Sequence, residues 1–179
     1  MKETPVADFG LLIAYVLPGF TALCGFTLFS PTVMTWLQGV PDRCPTVAGF
    51  LYVTLASIGI GMTVNALRWL TLDWLHHHTG IRYPAWDFSQ LQSNLGGYDK
   101  LVDFYYRYHE FFGNSLIAGS FTYLTWRFFH PGWRLLAADL AYVAVAALFW
   151  LASRDTLRKY YRRVEQLMPT TTAQDQNPS

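Results

Sequence analysis

Charge is scarce in this sequence. Only 14% of its 179 residues are Asp, Glu, Lys or Arg, where a soluble domain carries about a quarter. The formal net charge is +1, so no global field draws the chain to nucleic acid or to acidic substrates. Cysteine is scarce too: Cys24 and Cys44 are the only two, too few for a disulfide-stapled scaffold. Cys24 falls inside an apolar run, so two free thiols are expected rather than a bridge. Catalytic signatures are missing as well. There is no phosphate loop, GxSxG elbow, CxxC pair or HExxH helix anywhere in the chain, which removes the common routes to nucleotide hydrolysis, acyl transfer and zinc chemistry. An RxxxxH nuclease pair is absent too: Arg68 to His76 is too long, while Arg107 to His109 and Arg127 to His130 are too short. Five histidines are too few for a membrane di-iron centre. No metal and no cofactor are expected.

Apolar residues are what the chain has in quantity, at 52% of the total, with 17% aromatic. They gather in four windows: 9–29, 46–67, 111–129 and 135–153. Each is close to the roughly 20 residues that carry a helix across a bilayer. Together they would overfill a soluble core of this size. The expected fold is therefore an all-α integral membrane protein, a four-transmembrane-helix bundle. The first window is read as retained, because Glu3 and Asp8 beside Lys2 spoil the positive leader of a signal peptide.

Charge placement sets orientation. With both termini on the cytoplasmic side, that side holds ten Lys and Arg residues and the other holds three, Arg43, Arg127 and Arg134. This is a positive-inside pattern, so the topology is N-in, C-in. The expected organisation is 1–69 for the first two spans with an outer loop at 30–45, 70–110 for a cytosolic helical loop, 111–153 for a tight hairpin of the last two spans, 154–168 for an amphipathic basic helix, and 169–179 for a disordered tail. Helices two, three and four extend into the cytosol. In the inner loop, Asp87 and Gln90 have capping-box spacing, and a short helix is expected to stop at Gly96-Gly97. Beyond 154, Leu157, Tyr160, Tyr161, Val164 and Met168 recur at helical spacing. The basic residues Arg154, Arg158, Lys159, Arg162 and Arg163 lie between them. Such a helix either lies on anionic lipid or packs on the inner loop as a cytosolic collar, and the collar is preferred because neighbouring segments also have apolar stripes to cover.

The stretch "RWLTLDWLHHHTGIRYPAWDF" marks where the second span leaves the bilayer, with Trp69 and Trp74 at the interface and Arg68 turned to the cytoplasm. Asn65, Arg68, Trp69, Leu72, Asp73, His76 and His77 fall along one helical face, and Arg68, Asp73, His76 and His77 lie at about the depth of Arg107, His109 and Glu110 on the next helix. Successive histidines splay about 100° apart on a helix, so one face cannot use all of 76, 77 and 78. The cluster is read as a pH- or partner-sensitive contact rather than a metal or catalytic site. Inside the windows, Arg127 and Asp139 are expensive in hydrocarbon; they either lock the hairpin as an ion pair or line a wet path. Asn65 and Asn114 are expected to hydrogen-bond between helices. Pro18-Gly19 should kink the first helix, with a neighbour satisfying the freed carbonyl. Ser57 with Gly61, and Ser115 with Gly119, are small-xxx-small pairs that bring backbones close.

The function expected from these features is a bacterial inner-membrane homo-oligomer that forms or gates an ion-permeable path, possessing a cytosolic collar that receives a signal. It resembles membrane-depolarising effectors in general architecture only. The alternatives are a non-conducting anchor or sensor subunit that recruits a cytosolic partner protein, and, less favoured, a membrane enzyme with a His/Asp site. Expected partners are the lipid bilayer, a second copy and a cytosolic protein.

Overall fold

The computed structural model describes residues 10, 12–38, 47–84, 86, 89, 91–131 and 136–168. Among them the chain is all-helical, with no strand. Five helices follow in order: α1, Leu12–Phe26; α2, Pro31–Gln38; α3, Val47–His78; α4, residues 91–129; and α5, Leu136–Leu167. Two of them, α3 and α5, are long and apolar enough to cross a membrane; α1 is apolar but shorter. The capping pair Asp87 and Gln90, Cys44 and the tail 169–179 lie outside the described residues.

Local chemistry explains the boundaries. The segment expected to be an outer loop contains α2, which begins at Pro31, where a missing N–H costs nothing. Ser30 caps it, its hydroxyl accepting from the Val33 N–H at 3.4 Å, as N-cap serines do. The end of α3 is closed by Gly80 at φ 101°, a left-handed conformation that favours glycine. The Ile81 N–H reaches the His76 carbonyl and the Gly80 N–H the His77 carbonyl, the paired bonds of a Schellman close.

Gly96-Gly97 does not end a helix. Helix α4 runs through both and continues without a break to Phe129. Gly97 is held against the Leu167 side chain, which a Cβ there would meet at 3.3 Å, so packing on α5 offsets the roughly 1 kcal/mol that a helical glycine costs.

In the apolar part, α1 packs on both α3 and α4, and α5 packs on α4. The contact between α1 and α3 is made by small residues. A Cβ on Gly19 would lie 1.8 Å from the Ser57 carbonyl oxygen, and one on Gly61 would lie 2.1 Å from the Tyr15 carbonyl oxygen. The Ser57/Gly61 pair is thus used within the chain, against Gly19. Gly119 meets nothing within 4 Å, and Ser115 beside it is half-buried. At the other end a larger core forms from Ile81, Leu157, Tyr160, Val164 and Met168, covered by Trp86, Tyr98, Val102 and neighbours. The apolar stripe of the basic part of α5 therefore packs on the start of α4 and on the segment after α3. We call this end the collar.

Three of the long helices depart from α geometry once each: α1 at Leu12–Val16, α3 at Trp69–Asp73 and α4 at Val102–Tyr106 each make a π turn. Such turns insert one residue per turn and re-aim the side chains beyond them. All three flank the same buried polar cluster.

Candidate functional site

At the junction between the apolar bundle and the collar, Arg68, His76 and His109 are at most 1% exposed, and Glu110 and Asp73 are nearly as buried. Sequence spacing puts Arg68 on the face of Asp73 and His76 but points it to the cytoplasm; the structure keeps it in that cluster and turns it inward, because the π turn after it brings Asp73, five residues on, to the same side. Arg68 Nη1 donates to both Asp73 carboxylate oxygens at 2.9 and 2.8 Å, while its Nε and Nη2 donate to Asn65 Oδ1 at 3.3 and 3.1 Å. Glu110 Oε1 lies 3.9 Å from Arg68 Nη2, and Glu110 Oε2 accepts from Arg107 at 3.0 Å. Two guanidiniums thus face two carboxylates. A charge this deeply buried is tolerated only when paired and hydrogen-bonded. Gly113 makes room for it: a Cβ there would come within 2.5 Å of Arg68 Cδ.

His109 ties the cluster to α5. Its Nδ1 lies 3.0 Å from the Ser153 carbonyl oxygen and 2.9 Å from the Ser153 hydroxyl. Its Nε2 lies 2.8 Å from Arg68 Nη1 and 3.1 Å from Asp73 Oδ1. One nitrogen cannot accept from arginine and donate to aspartate at once. With the proton on Nδ1, His109 accepts from Arg68; with one on Nε2, it donates to Asp73. Burial opposes the charged form of Asp73, but the His109 hydrogen bond and the Arg68 guanidinium outweigh it and hold the carboxyl below its usual range.

The three successive histidines separate as helical splay requires. His76 is fully buried, His77 half-buried and His78 exposed. Burial, with His109 nearby, pushes the His76 pKa down to about 4, so the ring is neutral near pH 7; it lies against Trp150 with centroids 4.5 Å apart. His77 does not engage the Asp73 carboxylate. Its Nδ1–H donates to the Asp73 backbone carbonyl at 2.5 Å, which leaves Nε2 to accept from the Tyr161 hydroxyl at 3.0 Å.

The first helix reaches the same cluster. Pro18 has no N–H for the Ala14 carbonyl, and Asn114 Nδ2 donates to that carbonyl instead, at 2.8 Å. Asn114 also lies 3.4 Å from Asn65 Oδ1. The Tyr15 hydroxyl donates to Glu110 at 3.0 Å. Arg68, Asp73, His76, His109, Glu110, Arg107, Asn65 and Asn114 are therefore brought together, and His77 sits at their edge. Tyr15, Tyr106 and Ser153 belong to the cluster without having been singled out from sequence. Tyr15 and Ser153 lie in apolar windows with no motif, and Tyr106 belongs to no motif either.

Arg127 and Asp139 lie elsewhere, near the far end of the α4–α5 hairpin. They form an ion pair at 3.5 Å, each side chain about one third exposed. Tyr123 donates to Asp139 and stacks on Tyr142, whose hydroxyl donates to Ser120 at 2.8 Å. On the collar, Arg154 donates to Thr79, Lys159 pairs with Asp155 at 2.5 Å and Arg163 reaches Gln166. Arg158 and Arg162 are exposed. Cys24 is a free thiol. Among the described residues, no group of three or more His, Cys, Asp or Glu is arranged to hold a metal.

Comparison with known proteins adds no relative. No protein-family description, no curated protein and no solved structure matches the chain. The site must be read from its own geometry.

Proposed function

We propose that the protein is a four-span bacterial inner-membrane protein, N-in and C-in, whose copies together form or gate an ion-permeable path controlled from the collar. The observation that carries this reading is the Arg127–Asp139 pair, charged and one third exposed amid the exposed apolar side chains of Leu124, Phe128, Leu140 and Val143. A partly uncovered ion pair in hydrocarbon is costly, and a second copy or a wet path would relieve it. Beside the pair, an open groove of about 480 Å³ runs over Gly119, bordered by Thr21, Cys24, Thr122 and Trp126. We read the junction cluster as a control element rather than a catalytic one, since Arg68, Asp73, Arg107 and Glu110 are engaged with one another. Its alternative His109 pairings give α3, α4 and α5 a shared contact that a signal at the collar can bias.

The test is ion flux in liposomes. Asp139→Asn or Arg127→Gln should change its rate or ion preference, and no flux under any stimulus overturns conduction. A native mass in mild detergent that corresponds to one chain overturns self-association. The basic surface of α5 on the collar favours a second reading, an anchor that recruits a cytosolic protein. It expects a partner on mild-detergent pull-down that is lost when residues 154–168 are removed.

A further inference from the structure

The collar contains a cleft of about 530 Å³, inside the range of small-molecule sites. Its walls are almost wholly aromatic: Tyr83, Trp86, Tyr98, Tyr106, Tyr160 and Tyr161 all line it. The rings brace one another. Trp86 meets Tyr160 edge-on at 6.0 Å and Tyr161 at 5.9 Å, and Tyr106 lies 5.2 Å from Tyr160. The hydroxyls are similarly fixed, with Tyr160 donating to Tyr98 at 3.1 Å and Tyr161 to His77 at 3.0 Å. Tyr83 is backed by the His77 ring, parallel at 3.7 Å, yet is 70% exposed. Its outer face is a prepared stacking surface.

The exposed charges that neighbour these rings along the chain, outside the lining itself, are mostly basic: Arg82 adjoins Tyr83, Arg158 lies one helical turn before Tyr161 and Arg162 follows it, against Asp99 beside Tyr98 and Glu165 one turn after Tyr161. Among the described residues, none of the three arginines forms an ion pair with a carboxylate. Aromatic walls alone would suit a quaternary ammonium ion. The arginines disfavour a cation and select an anion, by hydrogen bonds that suit phosphate.

We propose that this cleft binds a nucleotide, its base stacked on Tyr83 and Trp86 and its phosphates met by Arg82, Arg158 and Arg162. Stacking on tyrosine and tryptophan tolerates any base, so the walls recognise the class and not one member. The cleft touches the junction cluster at two points: Tyr161 holds His77, and the Tyr106 ring lies 5.9 Å from that of His109. The inference deepens the preceding reading, on which it rests for placing the collar in water, by naming what the collar senses. Binding itself does not require conduction.

The experiment is calorimetry on the full chain in mild detergent, with ATP, GTP, UTP and cyclic AMP as probes, and adenosine, tripolyphosphate and tetramethylammonium as controls. At least one nucleotide should bind about tenfold or more tightly than each control. Tyr83→Ala, at an exposed position, should weaken it about tenfold, and Arg158→Ala with Arg162→Ala about fivefold, with weaker salt dependence. Melting curves of the variants establish that they are folded. Binding by none of the four nucleotides, equal or tighter binding of tetramethylammonium, or nucleotide binding unchanged in Tyr83→Ala overturns the site. Flux in liposomes is scored separately, so nucleotide binding without flux sinks conduction and leaves the site standing, while flux without binding does the reverse.

Discussion

The two halves of α5 are built to opposite rules. From 136 to 153 the helix turns Leu140, Val143, Val145, Leu148 and Leu151 outward, all at least half exposed, and packs mainly on α4, with His76 of α3 against Trp150 near its inner end. Beyond Ser153 the polarity reverses: Leu157, Tyr160 and Val164 are buried, while Arg158, Lys159, Arg162 and Arg163 face out. The backbone is one uninterrupted helix, so the difference is in what surrounds it. A surface that is apolar on the outside needs lipid or protein against it; one that is charged on the outside needs water. The change from an apolar to a charged exterior falls at Ser153, the residue His109 touches. The buried charges therefore sit at the level where the exterior of the helix changes, and the collar owes its order to its own core.

The comparison can be broken most severely at that level. Arg68→Ala leaves Asp73 and Glu110 without their shared cation and should cost about 3–5 kcal/mol, read as a fall in unfolding midpoint in detergent. On the apolar half, Leu148→Asp should cost about 3 kcal/mol of insertion, read as lost membrane incorporation; full incorporation would refute the lipid-facing assignment of that surface. Acidification addresses the junction. The His76 pKa is about 4 in the folded protein and about 6.5 when unfolded, so the unfolded chain takes up a proton first as pH falls. Stability should drop by roughly 1.4 kcal/mol per pH unit from about 6.5 toward 4, at most about 3 kcal/mol in all, and the slope should vanish in His76→Gln. Asp73, held below its usual range, adds its own loss only at lower pH, below about 4. Gly61→Ala forces a Cβ into the Tyr15 carbonyl and should cost about 1–3 kcal/mol. Gly59→Ala on the same helix meets nothing within 4 Å and should be neutral or slightly stabilising. On the charged half, Arg158→Ala should stay within about 0.5 kcal/mol, although the nucleotide proposal expects it to weaken binding.

Helical content, the long apolar runs and the amphipathic end of α5 were legible because each is written as periodicity in consecutive residues. The polar neighbours of the junction were legible in part. Spacing placed Asp73 near His76 and matched the depth of His109 and Glu110, since a helix fixes both. The exact pairings were not, because a π turn leaves no clear mark in composition: spacing puts Arg68 on the face of Asp73, yet it reads as pointing to the cytoplasm until the extra residue turns it inward. Tyr15 and Ser153 were hidden for another reason. Both sit in apolar runs and become polar partners only when another helix arrives. Gly96-Gly97 misled because packing across one of the two offsets the cost: Leu167 covers Gly97, while a Cβ on Gly96 would meet nothing within 4 Å.

The unbroken course of α5 has a mechanical consequence. At 32 residues it is a rod about 48 Å long, at 1.5 Å per residue. Its three long neighbours each carry a loosened turn near the same height, where helices bend most readily. Stiffness is thus concentrated in one member and compliance in the others. A tilt of the rod pivoting at Ser153 moves its two ends in opposite directions, and Asp139 lies about twice as far from the pivot as Tyr160, so a displacement of about 1 Å among the collar tyrosines returns as about 2 Å at Asp139, with no need for a chain of rearranged side chains between them.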